Sequence, residues 1–214
     1  MTTIKGFGEL FENGLLTKPE DVKKYGAMIE RESERLLFLI NDIIRLSEIE
    51  EKSEKILSPI NLYERAEYSI NLLSSKARSK NVTIDLIGND TIVNGHEGYI
   101  NELFINLIDN SIKYNNNDGS IIVRISKDVN SAIISVEDTG IGISKQDCER
   151  IFERFYRVDK SHSRKIGGTG LGLSIVKHIV AYHNGEISID SELGKGTKIS
   201  VKLPLNPNKI NSIK

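Results

Sequence analysis

The sequence predicts an α/β sandwich, with a mixed sheet covered by helices on one face, preceded by a long helical hairpin. Three observations carry that expectation. From about residue 61 onward, helical and strand patterns follow each other in the order αββαββααββ, which places helices against a sheet. Residues 19–50 hold a single long helical pattern with an apolar row at seven-residue spacing. Between the two lies the charged stretch Glu50 to Pro59, where a domain boundary is expected.

Composition narrows the function classes. The 214 residues are 38% hydrophobic and 28% charged, with Lys+Arg 29 balancing Asp+Glu 30, so neither nucleic acid nor an anionic membrane is expected as a partner. The single Cys148 excludes an internal disulfide framework and suits a reducing compartment. The most apolar run, Leu36 to Ile40, is cut off by Asn41 and Asp42. That is far short of the roughly 20 residues a membrane helix needs. A soluble, cytoplasmic chain is the expectation.

In order, residues 1–14 read as a short helix closed by Asn13-Gly14. Pro19 suits the first turn of the next helix, which runs to about Glu50 and spans nearly 50 Å at about 1.5 Å per residue. Val22, Ile29, Leu36 and Ile43 fall seven apart, with Tyr25, Leu39 and Leu46 beside them. This is a bundle seam too long for the first helix to cover, so a homodimer through residues 1–50 is expected, with a helix packed on its own globular domain as the plainer alternative. Residues 51–60 read as a linker. Asn61 to Lys80 is helical, Val82 to Ile87 a strand, and Thr91-Ile92-Val93 a short one. Glu97 to Tyr114 is helical, and strands at Ile121 to Ile125 and Ala132 to Val136 follow, joined by a turn. Ser144 caps a helix to about Phe152. The helix after Gly172 ends at Asn184-Gly185, and strands Glu186 to Ser191 and Thr197 to Leu203 close a domain of residues 61–205. Residues 206–214 read as a flexible tail.

Four stretches carry chemistry. The helix ending at Tyr114 sets Asn106, Asn110 and Lys113 on one side, at i, i+4 and i+7. An amide oxygen is a neutral ligand for Mg²⁺, and a lysine one turn on adds a point charge for phosphate. A solvated helix face is the plainer alternative. Glu137-Asp138-Thr139-Gly140-Ile141-Gly142 follows a strand directly: a carboxylate there can accept a hydrogen bond from an exocyclic amine, and glycines let a flat base lie on backbone. An ordinary turn is the alternative. Ile151 to Arg157 supplies aromatics, followed by a polar run, Asp159 to Lys165, with the character of a lid. Gly167-Gly168-Thr169-Gly170-Leu171-Gly172 feeds a helix N-terminus, a natural seat for phosphates. A further turn, Gly194-Lys195-Gly196-Thr197, joins the last two strands.

In this order and spacing, these pieces resemble the ATP-binding domain of two-component sensor histidine kinases. Asn106-x-x-x-Asn110-x-x-Lys113-Tyr114 looks like that family's N box, Asp138-x-Gly140-x-Gly142 its first glycine box, and Phe152-x-x-Phe155 its F box. Gly168-x-Gly170-x-Gly172-Leu173 resembles the second glycine box and Gly194-x-Gly196-Thr197 the last. The resemblance implies a Bergerat-type sandwich with ATP and Mg²⁺ as ligands. It assigns Asp138 to the adenine amine, Tyr114 beside the adenine, and Asn110 to Mg²⁺. Asn106 and Lys113 fall on the metal–phosphate side, Gly168, Thr169, Gly170 and Leu171 around the phosphates, Thr197 near the base through water, and Arg157 on phosphate.

The resemblance also separates this chain from the related gyrase, mismatch-repair and chaperone ATPases, which carry a glutamate as general base where Asn106 stands. An amide cannot take a proton at neutral pH. Slow or no ATP hydrolysis is therefore expected, with phosphoryl transfer to a protein histidine and on to a response regulator receiver domain. Thr2 to Phe7 resembles the segment just after the acceptor histidine, which would then precede Met1, so this chain is not expected to phosphorylate itself; membrane segments would lie outside it too. Its histidines, His96, His162, His178 and His183, all read as surface residues. The alternative function is a nucleotide-binding and dimerisation module without turnover.

Overall fold

The computed structural model describes residues 2–15, 18–50, 57–158 and 169–205. Helices α1 (Thr2–Glu12) and α2 (Pro19–Glu50) form the N-terminal hairpin. Gly14 takes a left-handed conformation, φ 63°, where the first helix ends. Phe7 and Tyr25 meet across the hairpin with their rings tilted by 50° and their centres 5.1 Å apart. Along α2 the seam divides. Leu39 packs onto the core of the following domain, whereas Leu37, Ile40, Ile43 and Ile44 are exposed. The side chain of Leu46 lies outside the described residues.

The domain runs β1 (Ser58–Asn61), α3 (Leu62–Arg78), β2 (Thr83–Gly88), β3 (Ile92–Gly95), α4 (Glu97–Lys113), β4 (Ser120–Lys127), β5 (Ser131–Asp138), α5 (Lys145–Cys148), α6 (Gly172–Tyr182), β6 (Glu186–Glu192) and β7 (Gly196–Pro204). The sheet has the order β2-β4-β5-β7-β6. It is mixed: β2 pairs with β4 in parallel, and the other neighbours are antiparallel.

Period-two alternation builds its core. Ile121, Val123 and Ile125 on β4, Ala132, Ile134 and Val136 on β5, and Ile199, Val201 and Leu203 on β7 are all buried. Against them lie the apolar stripes of three helices: Leu62 and Ala66 of α3, Ile100, Leu103, Phe104 and Leu107 of α4, and Ile175, Val176 and Ile179 of α6. Each full burial of a Leu or Phe contributes about 1.5–3 kcal/mol. Asn61 caps α3 by accepting from the Tyr63 N–H (3.1 Å), and His96 caps α4 by accepting from the Tyr99 N–H (3.3 Å).

Three features differ from the sequence expectation. Residues 58–60, read as linker, and Asn61, read as helical, form β1 and pair with β3; only Ile60 of the four is buried, so no alternation announced the strand. The helix expected from Ser144 to Phe152 stops at Cys148 and continues as turns. His183 is 4% exposed rather than on the surface. Its Nε2 accepts from the His96 N–H at 3.0 Å and its Nδ1 lies 2.8 Å from the Ile179 carbonyl, which fixes a neutral ring with Nδ1 protonated. His162, the stretch 159–165 read as a lid, and most of the segment 51–60 lie outside the described residues, as do residues 206–214.

Candidate nucleotide site

Asp138 is the last residue of β5 and lies opposite Thr197 of β7. Antiparallel register therefore brings the first and last glycine-bearing stretches together. Asp138 is 8% exposed. Its Oδ1 accepts from the Gly140 N–H (2.9 Å) and the Thr197 N–H (3.3 Å), and its Oδ2 accepts from the Ser111 hydroxyl of α4 (3.0 Å). Burial pushes its pKa up, against the downward pull of these hydrogen bonds. Three separated stretches of sequence thus converge on one buried carboxylate.

Glycine is required around it by close approach. A Cβ at Gly140 would stand 2.4 Å from the Tyr114 carbonyl oxygen, and one at Gly142 (φ 66°) 2.0 Å from the Glu192 carbonyl oxygen. Tyr114 ends α4, and its carbonyl accepts from the Ile141 N–H at 3.0 Å, so the helix terminus and the glycine turn are joined directly. Asn115, which the sequence reading passed over, reinforces the joint. It is 6% exposed, donates to the Ser120 carbonyl (3.1 Å) and accepts from the Thr139 hydroxyl (3.3 Å). Ser111 was missed as well; it is one residue beyond Asn110, on the adjoining face of the same helix.

On the opposite side, Gly172 opens α6 directly over the amide stripe: a Cβ there would come within 2.7 Å of Asn106 Oδ1 and 3.8 Å of Asn110 Nδ2. Asn106 donates back to the Glu102 carbonyl (2.9 Å), leaving its oxygen toward the glycines. Among the described residues no group hydrogen-bonds the Asn110 amide. Lys113 pairs with Asp109 at 3.0 Å, and Lys76 bonds the same carboxylate. Burial alone would raise Asp109, but Lys113 and Lys76 outweigh it and hold the carboxyl below its usual range.

The turn before α6 is built for close approach. Gly170 has φ 77°, and its carbonyl accepts from the Phe155 N–H at 3.0 Å. Leu171 is fully buried, and its N–H donates to the Thr169 hydroxyl (3.2 Å). Among the described residues no side chain caps α6, which leaves its first-turn N–H groups open to an anion. Gly168 lies outside the described residues; Arg157 is half-buried in the irregular stretch just short of the segment 159–168. Thr197 places its hydroxyl 2.9 Å from that of Ser191.

The residues present fit an adenine nucleotide with its metal. A buried carboxylate with glycines on both flanks suits an exocyclic amine and a flat ring, while a free amide and an uncapped helix start suit a metal-bound polyphosphate. Among the described residues no cluster of His, Cys, Asp and Glu forms a separate metal site. A groove of about 440 Å³ lies elsewhere, between α5 and β6, lined by Cys148, Phe152, Ile187 and Ile189, and includes none of these residues.

Residues 95–207 match the family described as histidine kinase-, DNA gyrase B- and HSP90-like ATPase, and residues 1–52 match the His kinase A (phospho-acceptor) domain. Sensor histidine kinase WalK of Bacillus subtilis is 32% identical over 210 residues, which cover 95% of this chain and 34% of that protein. The chain thus spans about a third of that relative's length. Histidine kinase ThkA, solved in complex with response regulator protein TrrA, superposes with a TM-score of 0.75 at 25% identity, covering 97% of this chain and 59% of that one. Full-length ShkA in complex with AMPPNP gives a TM-score of 0.73 at 25% identity, over 89% of this chain and 41% of that one. Among the described residues no helix is long and apolar enough to cross a membrane.

Proposed function

The chain belongs to the histidine kinase-, DNA gyrase B- and HSP90-like ATPase family, as a two-component sensor histidine kinase, and on that premise we propose that it binds ATP with Mg²⁺ and transfers the γ-phosphoryl group to a histidine. The observation that carries this reading is the Asp138 carboxylate, buried and held jointly by α4, the first glycine turn and the start of β7. Asp138 accepts the adenine amine, and Tyr114 lies beside the ring. Thr197 meets the base through water.

On the phosphate side, Asn110 offers its amide oxygen to the metal, which supplies charge neutralisation when bound. Asn106 and Lys113 complete the metal–phosphate wall, with Arg157 a further contact. Gly168, Thr169, Gly170 and Leu171 wrap the phosphates, and the open N–H groups of α6 face them. These parts supply positioning and charge stabilisation, the bulk of what phosphoryl transfer asks of a protein. Asn106 cannot act as a base for water, so transfer to a protein side chain outpaces hydrolysis.

The acceptor is a histidine of a kinase hairpin, and residues 1–52 hold none. The phosphohistidine then serves a response regulator receiver domain, as the ThkA–TrrA complex suggests for a related kinase. The exposed row Leu37, Ile40, Ile43 and Ile44 supports a homodimer through residues 1–50. The chain works in the cytoplasm. Mixing the chain with a catalytically inactive, histidine-bearing kinase hairpin and labelled ATP tests the reading. Acid-labile label on the partner is expected; none at saturating ATP overturns it.

A further inference from the structure

Helix α4 ends, as every helix does, with carbonyl oxygens that find no N–H donor within the helix. Here they meet a cation from a different element. Lys80, two residues beyond α3, donates to the carbonyls of Ile112 (3.2 Å), Lys113 (2.7 Å) and Asn115 (3.3 Å). An ammonium has three N–H bonds, and this geometry offers an acceptor to each. The charge also sits at the negative end of the α4 dipole. Burial and the nearby Lys76 charge both lower the Lys80 pKa, the signature of an ammonium drawn toward the interior.

What the tripod holds is specific. Between Lys113 and Asn115 lies Tyr114, whose carbonyl receives the Ile141 N–H of the first glycine turn. Asn115 in turn bonds Thr139, and Asn116 donates to the Thr139 carbonyl at 2.9 Å. Lys80 therefore anchors the segment that carries Tyr114 on one side and meets Thr139 and Ile141, the neighbours of Asp138 and Gly140, on the other. Asn106, Gly172 and the start of α6 lie outside this linkage; their contacts run through Glu102 and Phe155 instead.

We infer that Lys80 is a positioning residue for the adenine side of the nucleotide site: its three-carbonyl anchor sets the α4 terminus and the first glycine turn at the spacing the base requires. This rests on the adenine-nucleotide reading above. Lys80 touches no nucleotide itself; it acts through Tyr114 and Ile141.

The test titrates ADP and GDP into the wild-type chain, Lys80→Met, which keeps the stem and removes the donors, and Lys80→Arg, which keeps charge and donors. Lys80→Met is expected to bind ADP about tenfold more weakly with GDP changed less than about twofold, so base selectivity falls about tenfold. Lys80→Arg should recover most of that loss. A folded Lys80→Met with wild-type ADP affinity overturns the inference. So does an equal fall for both nucleotides, which assigns Lys80 to the fold alone. Should Lys80→Met not fold, Lys80→Gln replaces it and the same ratio decides. If the wild type binds neither nucleotide, the adenine reading itself fails and takes this inference with it. If the wild type binds ADP selectively and the variants match it, only the inference falls.

Discussion

The Ser111 hydroxyl of α4 donates to Asp138 Oδ2 at 3.0 Å, tying the helix that carries Asn106 and Asn110 to the carboxylate at the end of β5. Asparagine at 138 preserves this arrangement: its oxygen still accepts from Gly140 and Thr197, and its amide donates to Ser111 with the hydroxyl reversed. Asp138→Asn should therefore keep the fold while presenting a donor to the adenine amine. Calorimetry is expected to show ATP affinity reduced by at least about tenfold, the scale of one hydrogen bond to a charged group.

The same substitution has a signed pH effect. Burial raises the folded-state pKa of Asp138, so its ionised form destabilises the fold at neutral pH, and the penalty fades as pH falls through that raised value. Asp138→Asn removes the penalty. Thermal unfolding should show the variant gaining on the wild type near pH 7, with the gap narrowing toward acid.

Asp109 behaves in the opposite sense. Its folded-state pKa is depressed, so its contribution is present above the ordinary carboxylate value and lost as pH falls through the lowered one. Asp109→Asn should lose about 1 kcal/mol at pH 7, discounted for the exposure of Lys76, and nothing near pH 2. Unfolding midpoints across pH 2–7 check this.

Gly194 and Gly196 frame the last turn but differ in surroundings. Gly194 has φ 79° with nothing near its missing Cβ, whereas Gly196 has φ 111° and a Cβ there would stand 1.8 Å from the Asp138 carbonyl oxygen. Gly194→Ala should cost about 1–2 kcal/mol and Gly196→Ala about 3 kcal/mol or more, measured by denaturant unfolding.

The Thr169 hydroxyl donates to Asp42 Oδ2 at 2.7 Å, joining the turn before α6 to α2 of the hairpin. A double-mutant cycle with Thr169→Val and Asp42→Ala should give a coupling of about 0.5–1.5 kcal/mol in thermal unfolding.

Much of this architecture is legible in the sequence because it is local. Asn106, Asn110 and Lys113 share a helix face through spacing alone, and the Asp-x-Gly-x-Gly run sits at a strand end because the short apolar run Ala132 to Val136 reads as a strand. The features that escaped depend on distant partners. Ile60 is buried only because β1 finds β3. His183 is interior because the His96 N–H, 87 residues away, meets its ring. α5 ends early although Ile151 and Phe152 extend its apolar spacing; the chain instead turns so that the Tyr156 hydroxyl reaches Asp147 at 2.6 Å. The roles of Ser111 and Asn115 likewise exist only once β5 lies beside the end of α4.

The central claim is an adenine-nucleotide site formed within this chain and separated from its acceptor. Incubating the chain alone with γ-labelled ATP and Mg²⁺, and following bound nucleotide and protein-fixed label separately, addresses it most directly. Nucleotide bound in one-to-one ratio with no label fixed is the predicted result. Acid-labile label on the chain would identify one of its own histidines as an acceptor, and absence of both binding and label would mean that the converging carboxylate, amides and glycines do not form a nucleotide site.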